Sequence, residues 1–250
     1  MLNDGGAPPT LYAIGQDGRT LGTVDVAGAD NRDWEDLASF EHDGRNWLLV
    51  ADVGDNAATR ADVQLYLVPE PATLAPSARV APVATTRFRF PGGPRDVESV
   101  AVDATGMRIY VLSKRTVPAE LYALPLLFED PGEILTAEYL GPIAGLPTPS
   151  DSDVRRAPLT LNWYWQPTAM DIAEGLAIIL TYEGVYLFDR QPGDSWYDTL
   201  NRVPARLPLG DAHEAEAACI VGDSIFVTVE AKHPPLYRFD LAGRTRGPEK

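Results

Sequence analysis

Trp34-Glu35-Asp36-Leu37-Ala38 is a short acidic turn that runs into small and branched residues; the apolar run Trp47–Asp52 and the pair Leu65-Tyr66 follow it. The same order returns three times. Val97-Glu98-Ser99-Val100-Ala101 precedes Ile109–Lys114 and Leu121-Tyr122. Ala169-Met170-Asp171-Ile172-Ala173 precedes Ala177–Tyr182 and Val185-Tyr186. Ala215-Glu216-Ala217-Ala218-Cys219 precedes Ile225–Glu230 and Leu236-Tyr237. A fifth apolar-Tyr pair, Leu11-Tyr12, stands ahead of them all, and successive pairs lie 54, 56, 64 and 51 residues apart. Further apolar stretches such as Leu21–Val26 and Thr86–Phe90 follow some copies, and turn residues such as Asp43-Gly44 and Thr105-Gly106 separate the segments. Each period therefore holds about four short strands. Branched apolar runs dominate and no long stripe of helical period appears. A four-stranded unit recurring at roughly 50 residues predicts an all-β fold, a β-propeller. Chance similarity within a β-sandwich would not keep the order of elements four times.

Counting the units sharpens the prediction. Five apolar-Tyr strands stand against four turn-plus-strand pairs, and residues 1–10 are too few to hold another pair. The reading taken is five-bladed with an incomplete N-terminal blade, one domain over residues 1–250. Asn3-Asp4-Gly5-Gly6 then reads as the end of a lost strand pair, and a truncated N-terminus is expected. The alternative is a closed four-bladed ring in which residues 10–26 complete the last blade, which requires a ladder between residues 10–15 and 223–230. Gly141–Pro167, with five prolines and Trp163-Tyr164-Trp165, departs furthest from the repeat and reads as an insertion on one face. The aromatic triplet suits either a ligand-stacking platform or a cover for the core edge. Asp194–Arg202 fits a short helical turn.

Composition narrows the functions. The 250-residue chain carries a net charge of −15, so it lacks the basic footprint of a nucleic-acid binder. No run approaches the roughly 18 apolar residues of a membrane span. A single cysteine, Cys219, rules out an internal disulfide framework, and His42, His213 and His233 offer little to a histidine-rich metal centre. No Gly-x-Ser-x-Gly elbow, phosphate loop or dinucleotide fingerprint occurs. An acidic protein attracts cations, so metal ions and cationic ligands stay open.

The motifs Asp33-Trp34-Glu35-Asp36-Leu37-Ala38, Asp52-Val53-Gly54-Asp55-Asn56 followed by Arg60, Asp96-Val97-Glu98-Ser99-Val100, and Thr181-Tyr182-Glu183-Gly184 resemble those of a group of largely uncharacterised bacterial propeller proteins, over roughly residues 3–240. The group is more distantly similar to phytase-like propellers, which share acidic turns at the start of inner strands. The resemblance implies the propeller fold and a secreted or periplasmic location, although Met1-Leu2-Asn3-Asp4-Gly5-Gly6 is no signal peptide. Members typically carry one more acidic turn at the N-terminus than this chain, and its fourth turn, with Ala217-Ala218-Cys219, departs from their pattern. A shared fold does not carry a shared reaction.

Aligned by repeat, Glu35, Glu98 and Glu216 are equivalent; Met170, Thr168 or Glu174 fills the place in the third copy. At the end of the second strand the equivalents are Asp52, Lys114, Tyr182 and Glu230. Equivalent positions of a propeller ring its axis, so these residues predict an acidic channel mouth. Clustered carboxylates raise one another's pKa unless a cation lies between them. Either a hard cation such as Ca²⁺ takes their oxygens, with Glu35, Asp36, Asp52, Asp55 and Asn56 as candidate ligands, or Lys114, Arg115 and Arg60 neutralise them. Asp52-Val53-Gly54-Asp55-Asn56 reads equally as a turn capped by its own side chains; it fails the EF-hand pattern. His213 precedes Glu214 and Glu216, near the mouth or in a surface loop. The function these residues point to is a metal-dependent, hydrolase-like propeller acting on a small anionic ester. Glu98 or Glu216 is the candidate base, Lys114 the catalytic cation, and Arg115, Arg60 and Tyr182 the substrate-binding residues. The alternative is a non-catalytic binding module for a protein or glycan. The incomplete blade edge also predicts self-association.

Overall fold

The computed structural model describes residues 1–73, 76–148, 164–210, 212 and 214–241. Five small antiparallel sheets follow one another around a ring. Blade one holds β1 (Thr10–Ile14) and β2 (Thr20–Val26). Blade two runs β3 (Trp34–His42), β4 (Arg45–Asp52), β5 (Val63–Pro69) and β7 (Ala84–Arg89), with β6 (Ser77–Val80) reaching back to pair in parallel with β2 of blade one. Blade three runs β8 (Val97–Asp103), β9 (Arg108–Ser113), β10 (Glu120–Pro125) and β12 (Glu138–Pro142), with β11 (Leu135–Thr136) reaching back to β7. Blade four is β13 (Ala169–Ala173), β14 (Leu176–Thr181), β15 (Gly184–Asp189) and β16 (Ala205–Pro208). Blade five is β17 (Ala215–Val221), β18 (Ser224–Val229) and β19 (Leu236–Asp240). β6 and β11 thus cover outer edges that would otherwise present unpaired backbone groups.

The ladders decide between the two ring sizes. β1 pairs with β2, and β18 pairs with β17 and β19; residues 10–15 form no ladder with residues 223–230. The closed four-bladed alternative is excluded, and the protein is a five-bladed propeller whose first blade holds only its two outer strands and the visiting β6. Met1 continues β1 on its inner side by one rung: its ammonium donates to the Tyr12 carbonyl (2.9 Å), and the Tyr12 amide to its own carbonyl (2.7 Å).

Strand alternation explains where the core sits. A blade is apolar on both faces because each face packs on a neighbouring blade, and β8 is buried at every position. Four apolar clusters fill the junctions between blades one and two, two and three, three and four, and four and five. Among the described residues the junction between blades five and one has no such cluster. The predicted helical turn is α1 (Trp196–Leu200), opened by a capping box of Ser195 and Asp198. Its Trp196 is buried between blades three and four and donates its indole N–H to Asp103 at 2.9 Å. Of the long insertion, residues 149–163, including Trp163, lie outside the described residues, as does His213.

Candidate functional site

The inner strands of three blades begin with the same defect. Trp34 pairs with Asp52 and Asp36 with Ala51; Val97 pairs with Ser113 and Ser99 with Leu112; Ala215 pairs with Val229 and Ala217 with Thr228. The skipped residues are Glu35, Glu98 and Glu216. Each is the extra residue of a β-bulge, a device that lifts a side chain out of the pleat and re-aims it. The repeat therefore puts a glutamate on a bulge at the same end of three innermost strands. In blade four β13 pairs without a bulge, and Met170 stands where the glutamate would be. Thr168 turns away, donating its hydroxyl to the Ala215 carbonyl at 2.8 Å, and Glu174 lies at the far end of the strand, between β13 and β14.

Glu98 raises the pKa of both other glutamates. Burial pushes Glu35 up to about 10, and Glu98, Asp33 and Asp4 add to the effect. Burial raises Glu98 too, against the pull of Lys114, whose ammonium contacts its carboxylate. Glu216 is pushed up to about 7, by burial first, although its carboxylate accepts the Tyr182 hydroxyl; Glu98 and Glu230 push the same way and Lys114 opposes them. The Lys114 nitrogen lies 5.9 Å from the centre of the Tyr182 ring. Glu98, Lys114, Tyr182 and Glu216, drawn from blades three, four and five, thus form one connected polar group. Burying carboxylates disfavours the charged form, and this group holds a single ammonium for its acids.

A second acidic group adjoins it. Asp4, Asp33 and Glu35 offer oxygens that lie within 4.8 Å of one another. Local geometry makes room for them: a Cβ on Gly54 would overlap the oxygens of Glu35 and Asp33, and one on Gly5 would overlap Asp33 from the other side. Only a residue without a side chain lets the backbone approach the carboxylates so closely. Burial, then Asp4, raises the pKa of Asp33. Three carboxylates with no histidine or thiol among them are hard oxygen donors, the set that suits Ca²⁺ or Mg²⁺.

The other residues singled out in the sequence are held elsewhere. Asp36 is a tie between blades: it accepts the amides of Leu37 (2.8 Å), Val100 (2.7 Å) and Met170 (3.3 Å). Asp52, fully buried, accepts the Asp33 amide (3.0 Å), the Arg60 guanidinium (2.9 Å) and the Gln64 amide group (3.0 Å). Arg60, also buried, donates in addition to the Gly54 carbonyl at 2.8 Å. Asp55 accepts the Arg60 amide at 2.7 Å and donates its own amide to Asp96 at 3.0 Å. Arg115 closes the link by donating to both Asp96 and Asn56, from a left-handed backbone (φ 63°) that a non-glycine residue seldom adopts. The loop 52–56 is therefore built as a self-capped turn that laces blade two to blade three. Its carboxylates do not converge on one point. Nor does the second-strand alignment hold throughout: the ladders make Lys114 equivalent to Glu230, but place Asp52 one residue earlier in its strand and Tyr182 one residue later.

Asp4 and Asp33 were not among the candidate ligands. Asp33 stands two before Glu35, the spacing that puts side chains on one side of an extended chain. Asp4 had no local signal, since 29 residues separate it from Asp33.

No protein-family model matches the chain, and no curated protein does. Solved structures that it resembles are β-propellers of diverse kinds. The endo-arabinase from Bacteroides thetaiotaomicron aligns over 90% of this chain and 82% of its own, with 13% identity and a TM-score of 0.47. The WD40 β-propeller domain of Doa1 aligns over 82% of this chain at 13% identity and a TM-score of 0.37, and Myxococcus xanthus glutaminyl cyclase over 77% at 10% and 0.36. The chain spans only 52% and 60% of those two. At such identities the likeness concerns the fold alone.

Proposed function

We propose that the protein is a metal-dependent, hydrolase-like propeller that takes a small anionic ester at this mouth. The observation that carries the reading is the division of the mouth into two adjoining halves. One half is a trio of hard carboxylates, Asp4, Asp33 and Glu35, without a basic side chain bonded to Asp33 or Glu35 among the described residues. The other is a carboxylate, Glu216, held near neutrality and bonded to a tyrosine hydroxyl. A divalent ion held by the trio, Ca²⁺ foremost, would supply a Lewis acid and lower the pKa of bound water. Glu216 is suited to accept and return a proton, because a group with its pKa close to the working pH exchanges protons most effectively. Tyr182 orients it, and Lys114 supplies positive charge for an anionic group beside Glu98. Arg115, anchored on Asp96, stands at the rim with its side chain partly exposed. The resemblance to exported, distantly phytase-like propellers agrees with an anionic ester as substrate and with a secreted or periplasmic location.

A second reading, a glycan-binding module without catalysis, draws on Tyr164. Its half-exposed ring stands edge-on to Tyr182 with centroids 6.3 Å apart, and exposed aromatic faces stack on sugars. One experiment separates the readings. Protein stripped with EDTA is titrated with Ca²⁺ while Tm is followed, and p-nitrophenyl phosphate hydrolysis is measured in parallel. A ligand at about 100 times its Kd stabilises the fold by about 2.7 kcal/mol, so a clear rise in Tm is expected, lost in E35Q. Hydrolysis is expected to require Ca²⁺ and to fail in E216Q. A Tm indifferent to millimolar Ca²⁺ refutes the metal half, and a Ca²⁺-bound protein without turnover favours the binding module.

A further inference from the structure

Two buried polar atoms of opposite kind belong to one recess. Among the described residues Trp165 Nε1 has nothing to donate to and Gln166 Oε1 has nothing to accept from; both atoms are buried, and Gln166 as a whole is only 7% exposed. A buried donor or acceptor without a partner is costly, and native folds keep few of them. Both residues line a recess on the face of the ring that carries the mouth, between blades three and four. Residues 116–119, in the turn between β9 and β10, form one wall. Ile143, Leu146 and Pro147, beyond β12, form the second, and residues 165–167, ahead of β13, form the third. With its open side the recess holds about 290 Å³, short of the roughly 300 Å³ at which pockets for whole drug-sized ligands begin. It suits a group of a few heavy atoms. Among the described residues no charged side chain lines it.

We propose that this recess binds the acetamido group of an N-acetylated sugar. An amide presents a carbonyl to the Trp165 N–H and an N–H to the Gln166 oxygen, so one group satisfies both orphans. Its methyl group meets the apolar walls supplied by Val117, Ile143 and Leu146, where burial of a methyl is favourable. A lone water serves the two polar atoms less well, because buried waters make about three hydrogen bonds and these walls are largely apolar. The uncharged lining selects a neutral group over a carboxylate or an ammonium, whose burial without a counter-charge is costly. The sugar ring stays outside the recess. There Tyr164, one residue before Trp165, presents a half-exposed aromatic ring of the kind on which sugars stack. None of the mouth carboxylates lines the recess, so the site does not depend on their holding a metal.

Saturation-transfer NMR on the full chain, with N-acetylglucosamine as the probe, tests the site. The strongest signal is expected on the acetyl methyl group, and none from glucose, which has the same ring and lacks the amide. Trp165→Phe keeps an aromatic ring and deletes the N–H; Gln166→Leu keeps the size and deletes the acceptor. Each is expected to weaken binding about fivefold, the share of one hydrogen bond, in protein whose circular dichroism spectrum matches the parent's. The comparison of the two sugars needs the parent protein alone, so it stands even if a variant does not fold. Acetyllysine amide is the second probe, because it carries the same acetamido group on a flexible chain. An acetyl signal absent at high millimolar sugar, equal binding of glucose, or unchanged affinity in both folded variants overturns the proposal. So does tighter binding of acetyllysine than of the sugar, which would make an acetylated polypeptide the ligand.

Discussion

Replacing Asp36 separates a structural tie from a cation ligand. The carboxylate accepts three amides, and two of them, on Val100 and Met170, belong to residues that are almost wholly buried in blades three and four. Asp36→Ala leaves those two without a partner. A buried amide so orphaned costs about 1–3 kcal/mol, so the pair accounts for about 2–6 kcal/mol. The Leu37 amide is half-buried and finds water at little cost. Part of the loss is recovered, because burial pushes Asp36 up to about 7 and its removal relieves a strained charge. A net loss of about 2–4 kcal/mol is expected, a large fraction of a typical domain's stability. Asp36→Asn keeps one acceptor oxygen and loses about half as much. Urea unfolding followed by tryptophan fluorescence measures both, with an unchanged m-value as the sign that the folded state keeps its compactness. The Ca²⁺-dependent rise in Tm is expected to survive in Asp36→Asn. A loss below about 1 kcal/mol in Asp36→Ala, smaller than one orphaned amide, or a Ca²⁺ response abolished in Asp36→Asn with stability in EDTA unchanged, would refute the reasoning.

Two further outcomes follow from the mouth. Glu35 is raised to about 10, Glu216 and Asp36 to about 7 and Asp171 to about 6, each chiefly by burial. The folded state therefore binds protons that the unfolded chain has released above about pH 4.5, and stability falls as pH rises through that window. Tm in EDTA is expected to be higher near pH 5 than near pH 8, and E35Q and E216Q to flatten the slope; a Tm that climbs from pH 5 to 8 contradicts the assignment. Gly54→Ala puts a methyl group onto the Glu35 and Asp33 oxygens. It is expected to cost about 1–3 kcal/mol and to weaken the Ca²⁺ response at least as far as E35Q does, read from paired melting curves with Ca²⁺ and with EDTA.

The order of strands and the three bulge glutamates were legible in the residues because they are local and periodic, whereas the choice of five blades over four rested on the ladders. An acidic turn, an apolar strand and an apolar-Tyr strand each carry their own signal, and four repetitions make the signal difficult to mistake. Equivalence of Glu35, Glu98 and Glu216 needed no coordinates, since a repeat maps equal positions onto equal places around an axis. The bulges that aim them could not be read, because a bulge exists only in the pairing of two strands. The register of the second strands failed at Asp52 and Tyr182 for the same reason: one extra residue in a turn shifts a side chain by a full place. The loop 52–56 offered its carboxylates as ligands in the sequence; packing spent them on Arg60, Gln64 and the Asp33 amide.

Composition and repeat alone thus determined an acidic, cysteine-poor propeller with a glutamate at the head of three inner strands, and the ladders chose five blades over four. Only the tertiary structure decided that Asp36 ties blades together and that Asp4 joins Asp33 and Glu35 from 29 residues away. Strand order is written in local periodicity. Which acids meet, and which backbone amides claim them first, depends on the approach of segments distant in the chain, and burial then sets their charge.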